Sequence, residues 1–183
     1  MKTQHTIRYT ITSQMGLVVA LAATTCLPAF AQTQKPSRQQ IRATEERQGS
    51  EQTPLNERLT SAAWQAFNNE KYQVVITNAD KCIDEFLGAA KRIQAKLEAE
   101  KLRIPTGTVT EEQKKKILEN GLLNDVATCY FIKGRSLEKL GRKEDAKKAY
   151  EATKKLSCGR CWDPADWFWS PAEAASDRLG LLD

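Results

Sequence analysis

Histidine is nearly missing from this chain: the only one among its 183 residues is His5. It falls inside what reads as a leader peptide, so the rest has no imidazole for acid–base catalysis or metal ligation. Beyond residue 31 no apolar run is long enough to span a bilayer. No acidic residue precedes Glu45. No glycine loop of the phosphate-binding kind occurs. Glycine itself is scarce, nine residues in all, so each one falling between helical patterns marks a break to be explained.

The N-terminus has the pattern of a secretory signal. Lys2 and Arg8 make it positive, Gly16 to Ala23 forms a short apolar heart, and Ala29-Phe30-Ala31 is an A-x-A cleavage site. Cleavage after Ala31 would leave Gln32 as the mature start. Cys26 follows Ala23-Thr24-Thr25, a poor lipoprotein box. The expected product is a soluble periplasmic or secreted protein with no membrane span. The leader holds two of the 28 Lys and Arg and none of the 23 Asp and Glu, so its loss takes the formal charge from +5 to +3. Such a balance does not point to nucleic acid. Residues 32–54 are rich in Gln, Arg, Glu, Ser and Thr and read as a disordered linker, too poor in large apolar residues to form a core. Residues 55–183 remain as one helical domain.

Helical periodicity is clearest from Leu122 to Leu156. Val126, Tyr130, Gly134, Leu137 and Leu140 recur every three or four residues and share one helix face. Gly141 stands where a helix C-terminus favours a left-handed residue. Ala146, Ala149, Tyr150 and Leu156 form the inner face of the next helix. The short connection makes the pair antiparallel, with Gly134 and Ala146 allowing close approach.

These residues resemble a tetratricopeptide repeat, a 34-residue helix-turn-helix unit. The resemblance puts Gly134, Ala146 and Thr153 at its small positions, Gly141 at its turn and Tyr150 at its aromatic position. No proline follows Leu156, and Lys143 replaces the aromatic that usually opens the second helix. A second copy runs from Leu59 to Phe86. There Ala63 corresponds to Gly134, Val75 to Ala146, Tyr72 supplies the aromatic, Ala79 and Cys82 follow, and Glu70 takes the turn. The resemblance implies an all-α fold: helix-turn-helix repeats at about 56–88 and 127–157 in a short solenoid, closed by an aromatic-rich cap over 158–183 with a short final helix. Leu87 to Gly121 is either a degenerate middle repeat or, the preferred reading, a prolonged second helix and a linker helix. Pro105-Thr106-Gly107 breaks the chain there, Thr110 with Gln113 makes a capping box, and Gly88 is the position that would end the long helix.

The resemblance also implies a concave groove lined by first helices. It would carry Thr60, Trp64 and Asn68 from one repeat, and Phe131, Arg135 and Glu138 from the other. The expected partner is a protein or peptide, since Trp and Arg dominate interface energetics; equally, Trp64 and Phe131 have the character of packing residues. The Lys and Asn pattern of carboxylate-clamp relatives is absent. The resemblance further suggests that Cys82 and Cys129 face each other, and an oxidising compartment would permit a bridge.

The C-terminal stretch crowds Trp162, Trp167, Phe168 and Trp169 together. It reads as a cap over the open end of the last hairpin, or alternatively as a stacking platform for a sugar. Asp163-Pro164 signals a turn, and Ser170, Pro171 and Glu173 are the N-cap, N1 and N3 of the final helix. Cys158 and Cys161 form a C-x-x-C pair, read as a structural disulfide or inert pair ahead of a thiol–disulfide redox site. Trp162 excludes haem attachment, which requires histidine there. Asp163 and Asp166 have the look of glycosidase carboxylates, a weaker reading for so small a domain. The expectation is an interaction module or scaffold of the cell envelope, not an enzyme, with no metal and no cofactor.

Overall fold

A computed structural model describes residues 37–39 and 53–182 of the chain. The expected leader, its cleavage after Ala31 and most of the expected linker lie outside these residues. Helix α1 spans Leu55–Asn68 and α2 spans Tyr72–Ala99. The turn between them places Glu70 at φ 56°, the left-handed region that glycine adopts more readily. A second hairpin pairs α4 (Gly121–Lys139) with α5 (Lys143–Lys154). Its turn uses Gly141 at φ 71°, as the sequence signals. Gly134 meets Tyr150 so closely that a β-carbon there would stand 2.5 Å from the tyrosine ring.

The stretch between the hairpins is a prolonged α2, not a middle repeat. Helix α2 passes through Gly88 without interruption for 28 residues. A loop at Pro105 follows, then α3 (Glu111–Leu118) with the expected capping box of Thr110 and Gln113. Helix α4 begins at Gly121, earlier than the repeat boundary near 127, because Gly121 opens this helix and does not close α3.

Contacts between the hairpins fix their relative direction. Asn56 donates to Asp125, Thr60 meets Cys129, and Arg135 lies over Phe67. The two series rise together, so α1 and α4 run in the same direction along a common seam. Helix α2 packs on α4 through Ala79, Cys82, Val126 and Cys129, all fully buried. A second apolar cluster joins Tyr150 and Phe131 to Ala175 and Leu179 of α6 (Pro171–Gly180). Ser170 caps α6 by accepting from the Glu173 N–H at 3.2 Å.

The cap is not wholly helical. β1 (Cys161–Asp163) and β2 (Trp167–Trp169) form an antiparallel ribbon. The Asp163-Pro164 turn closes it, with Asp166 at φ 63°. Gly107 joins the ribbon from the α2–α3 loop: its N–H donates to Phe168 O at 2.6 Å, and Phe168 N–H donates back at 2.9 Å. Alternation along β2 buries Phe168 and leaves Trp167 exposed, as the two-residue period of a strand requires. Among the described residues, no helix is long and apolar enough to cross a membrane.

Candidate functional site

Helices α1 and α4 present one face each to the cap. Glu57, Ser61, Trp64 and Asn68 follow one another at three or four residues on α1, and Asp125, Thr128, Phe131 and Arg135 do so on α4. The ribbon lies across these faces. The result is a cleft of about 680 Å³ whose walls include Trp64, Asn68, Phe131, Arg135, Asp163 and Pro164. Trp162, Trp167 and Trp169 also line it, so all four tryptophans of the chain meet at one cleft. Groove candidates and cap aromatics, separate in the sequence, are therefore one site.

Its aromatic walls are packed edge to face. Trp169 lies 6.4 Å from Trp64 at 78° and 5.2 Å from Phe131 at 66°. Offset and edge-on arrangements are those the ring quadrupole favours. Trp162 and Trp167 keep 47% and 38% of their surface exposed. Phe131 is largely buried, so it both packs and lines the cleft. Arg135 places its guanidinium 5.5 Å from the Phe67 ring centre and 6.0 Å from that of Phe131. This is cation–π geometry. Among the described residues Arg135 forms no ion pair. The nearest acid on its own helix, Glu138, is occupied: Arg178 and Tyr150 both donate to it. Burial works against that carboxylate, but the bonds from Arg178 and Tyr150 outweigh it and lower its pKa.

Two groove candidates do not line this cleft, though Thr60 lines the cavity beside it. Glu138 faces α5 and α6, where the pairing with Arg178 holds it. Thr60 turns into the α1–α2–α4 contact. It is buried, donates to Asn56 O at 2.9 Å, and sits 3.4 Å from Cys129 Sγ and 4.0 Å from Cys82 Sγ. Phe168 likewise leaves the aromatic surface for the interior.

Cys82 and Cys129 do stand together, as free thiols in this structure. The hydrogen bond with Cys82, and then burial, push the Cys129 pKa up. Cys158 and Cys161 are also free. Burial raises the Cys161 thiol to about 11, so it is not a thiolate at neutral pH. The C-x-x-C segment is instead a junction. Cys158 N–H donates to Gln94 Oε1 at 2.9 Å, tying the cap to the far end of α2. Arg160 donates to the carbonyls of Ile104, Pro105, Ser157 and Gly159. Neither Gln94 nor Arg160 stands out in the sequence, because the bonds that tie the cap down reach partners some 36 to 64 residues away. The acids of the ribbon are engaged too. Asp163 accepts from Ala165 N–H at 2.9 Å. Asp166 binds Lys114 at 2.9 Å, and that bond lowers its pKa, contrary to what a general acid needs.

A second cavity, of about 560 Å³, adjoins the first. Ser61, Trp64, Cys161 and Trp162 line both. Glu57, Asp125 and Thr128 line only the second. Burial raises the Asp125 carboxyl to about 6, against the hydrogen bond that Asn56 donates.

Comparison with protein-family models, with curated proteins and with solved structures gives no match.

Proposed function

We propose that this is an exported helical-repeat protein of the tetratricopeptide type, whose α1–α4–ribbon cleft binds a peptide segment of a partner in the cell envelope or medium. The parallel course of α1 and α4, the Gly134–Tyr150 contact and the left-handed turns support the repeat reading. The N-terminal leader pattern supports export. One observation carries the binding role: an arginine that forms no ion pair among the described residues sits on two aromatic rings, in a cleft lined by every tryptophan of the chain. A packed aromatic box suits an apolar anchor side chain, and Arg135 suits a carboxylate beside it.

Affinity capture from envelope extract tests this. The wild-type protein should enrich a partner that a Trp64→Ala, Arg135→Ala variant of unchanged circular dichroism does not. Equal enrichment by both would remove the cleft from the interaction. A second reading, carbohydrate binding, draws on the exposed indoles of Trp162 and Trp167. Quenching of tryptophan fluorescence by an envelope glycan, with no peptide effect, would favour it over the first.

A further inference from the structure

The two cavities lie in series along the α1–α4 seam. Asp125 and Arg135 are ten residues apart on one helix, which sets their backbones about 15 Å apart along its axis. The seam therefore has a cation at one end, an acid at the other, and Trp64 and Trp162 on the wall between. Asp125 needs a cation and does not have one among the described residues. From α1 it is faced by Asn56, Thr60 and Glu57, the last repelling it. Cys82 and Cys129 lie behind, on α2 and α4, as thiols. Arg160, the basic residue lining this cavity, spends its guanidinium on four main-chain carbonyls. A half-buried carboxylate hydrogen-bonded by an amide, with no cationic partner, is unfavourable, and an incoming cation would relieve it.

We propose that the second cavity is a subsite for a basic side chain, lysine or arginine, of the peptide whose acidic side chain pairs with Arg135. Asp125 and Glu57 supply the charge, and Trp64 and Trp162 the apolar and cation–π surface for the stem. The inference rests on the peptide reading of the cleft. It adds a spacing. An extended chain advances about 3.3 Å per residue, so the basic side chain stands about four or five positions from the carboxylate.

The test is selection of random peptides of about twelve residues, displayed on phage, against the purified protein near neutral pH. Enriched sequences should carry Lys or Arg four or five positions from an acidic residue. The leading peptide, made with a fluorescent label, should bind Asp125→Asn at least about tenfold more weakly. Replacing its basic residue by norleucine should weaken binding to wild type by a similar factor, yet scarcely alter binding to Asp125→Asn, because both changes remove one interaction. Should Asp125→Asn fail to fold, Glu57→Gln on the exposed side of α1 serves the same cycle. Enriched peptides without a basic residue, or norleucine losses equal on both proteins, overturn the subsite and leave the peptide reading standing. No enrichment over a bare surface overturns the peptide reading and the subsite with it.

Discussion

Gly134 shows how little room single residues have in this fold. A β-carbon there would meet the Tyr150 ring at 2.5 Å, and Tyr150 is fully buried. Gly134→Ala should therefore destabilise the protein by about 1–3 kcal/mol, the usual cost of overpacking. This exceeds the ~1 kcal/mol that alanine gains in helix propensity, so the sign is settled by the clash. Urea denaturation measures it, and a more stable variant would contradict the contact. Asp125 carries the second expectation at this scale. Its folded pKa of about 6 lies above the unfolded value of ~3.9. The folded state thus holds the proton more tightly, and stability falls as pH rises from about 4 to about 6. The share due to this group is on the order of 2–3 kcal/mol. Asp125→Asn should lose that share of the pH dependence. Superimposable stability–pH profiles for wild type and variant would contradict the raised pKa of this carboxyl.

At the scale of elements, the hairpins are joined by the Cys82–Cys129 contact. Both cysteines are buried beside Thr60. Oxidation there would close a loop of about fifty residues, a stabilisation on the order of 4 kcal/mol in the chain-entropy view. Mass mapping of non-reduced peptides from the protein produced in an oxidising compartment should find Cys82 linked to Cys129. A Cys158–Cys161 link alone would contradict the staple. Much of the element architecture was legible in the sequence, because its signals are local. Gly141 marks a turn, Thr110 and Ser170 mark helix starts, and the Tyr130–Gly134–Leu137 rhythm marks an inner face. The ribbon was not legible as strands: two strands of three residues each are too few to show an alternation. What completes its pairing is Gly107, more than fifty positions upstream.

The whole molecule brings distant faces together, and there the sequence is a partial guide. The tetratricopeptide resemblance was sufficient to put Trp64, Asn68, Phe131 and Arg135 on one seam. It could not tell which side chains on that seam are claimed by neighbours. Glu138 is taken by Arg178, forty positions later, and Thr60 by cysteines of two other helices. Nor could it show that the cap folds back over the same seam, since Gln94 and Arg160 hold it there through non-local polar bonds. All four tryptophans line the resulting cleft, which provides an unusually direct reporter. The decisive measurement is a ¹H–¹⁵N spectrum of the indole N–H signals during titration with a peptide selected on the protein. Binding should shift the indole signals of Trp64, Trp162, Trp167 and Trp169, and Arg135→Ala should abolish or strongly weaken the response. Saturable binding that leaves the four indole signals unmoved would contradict the cleft as the binding site.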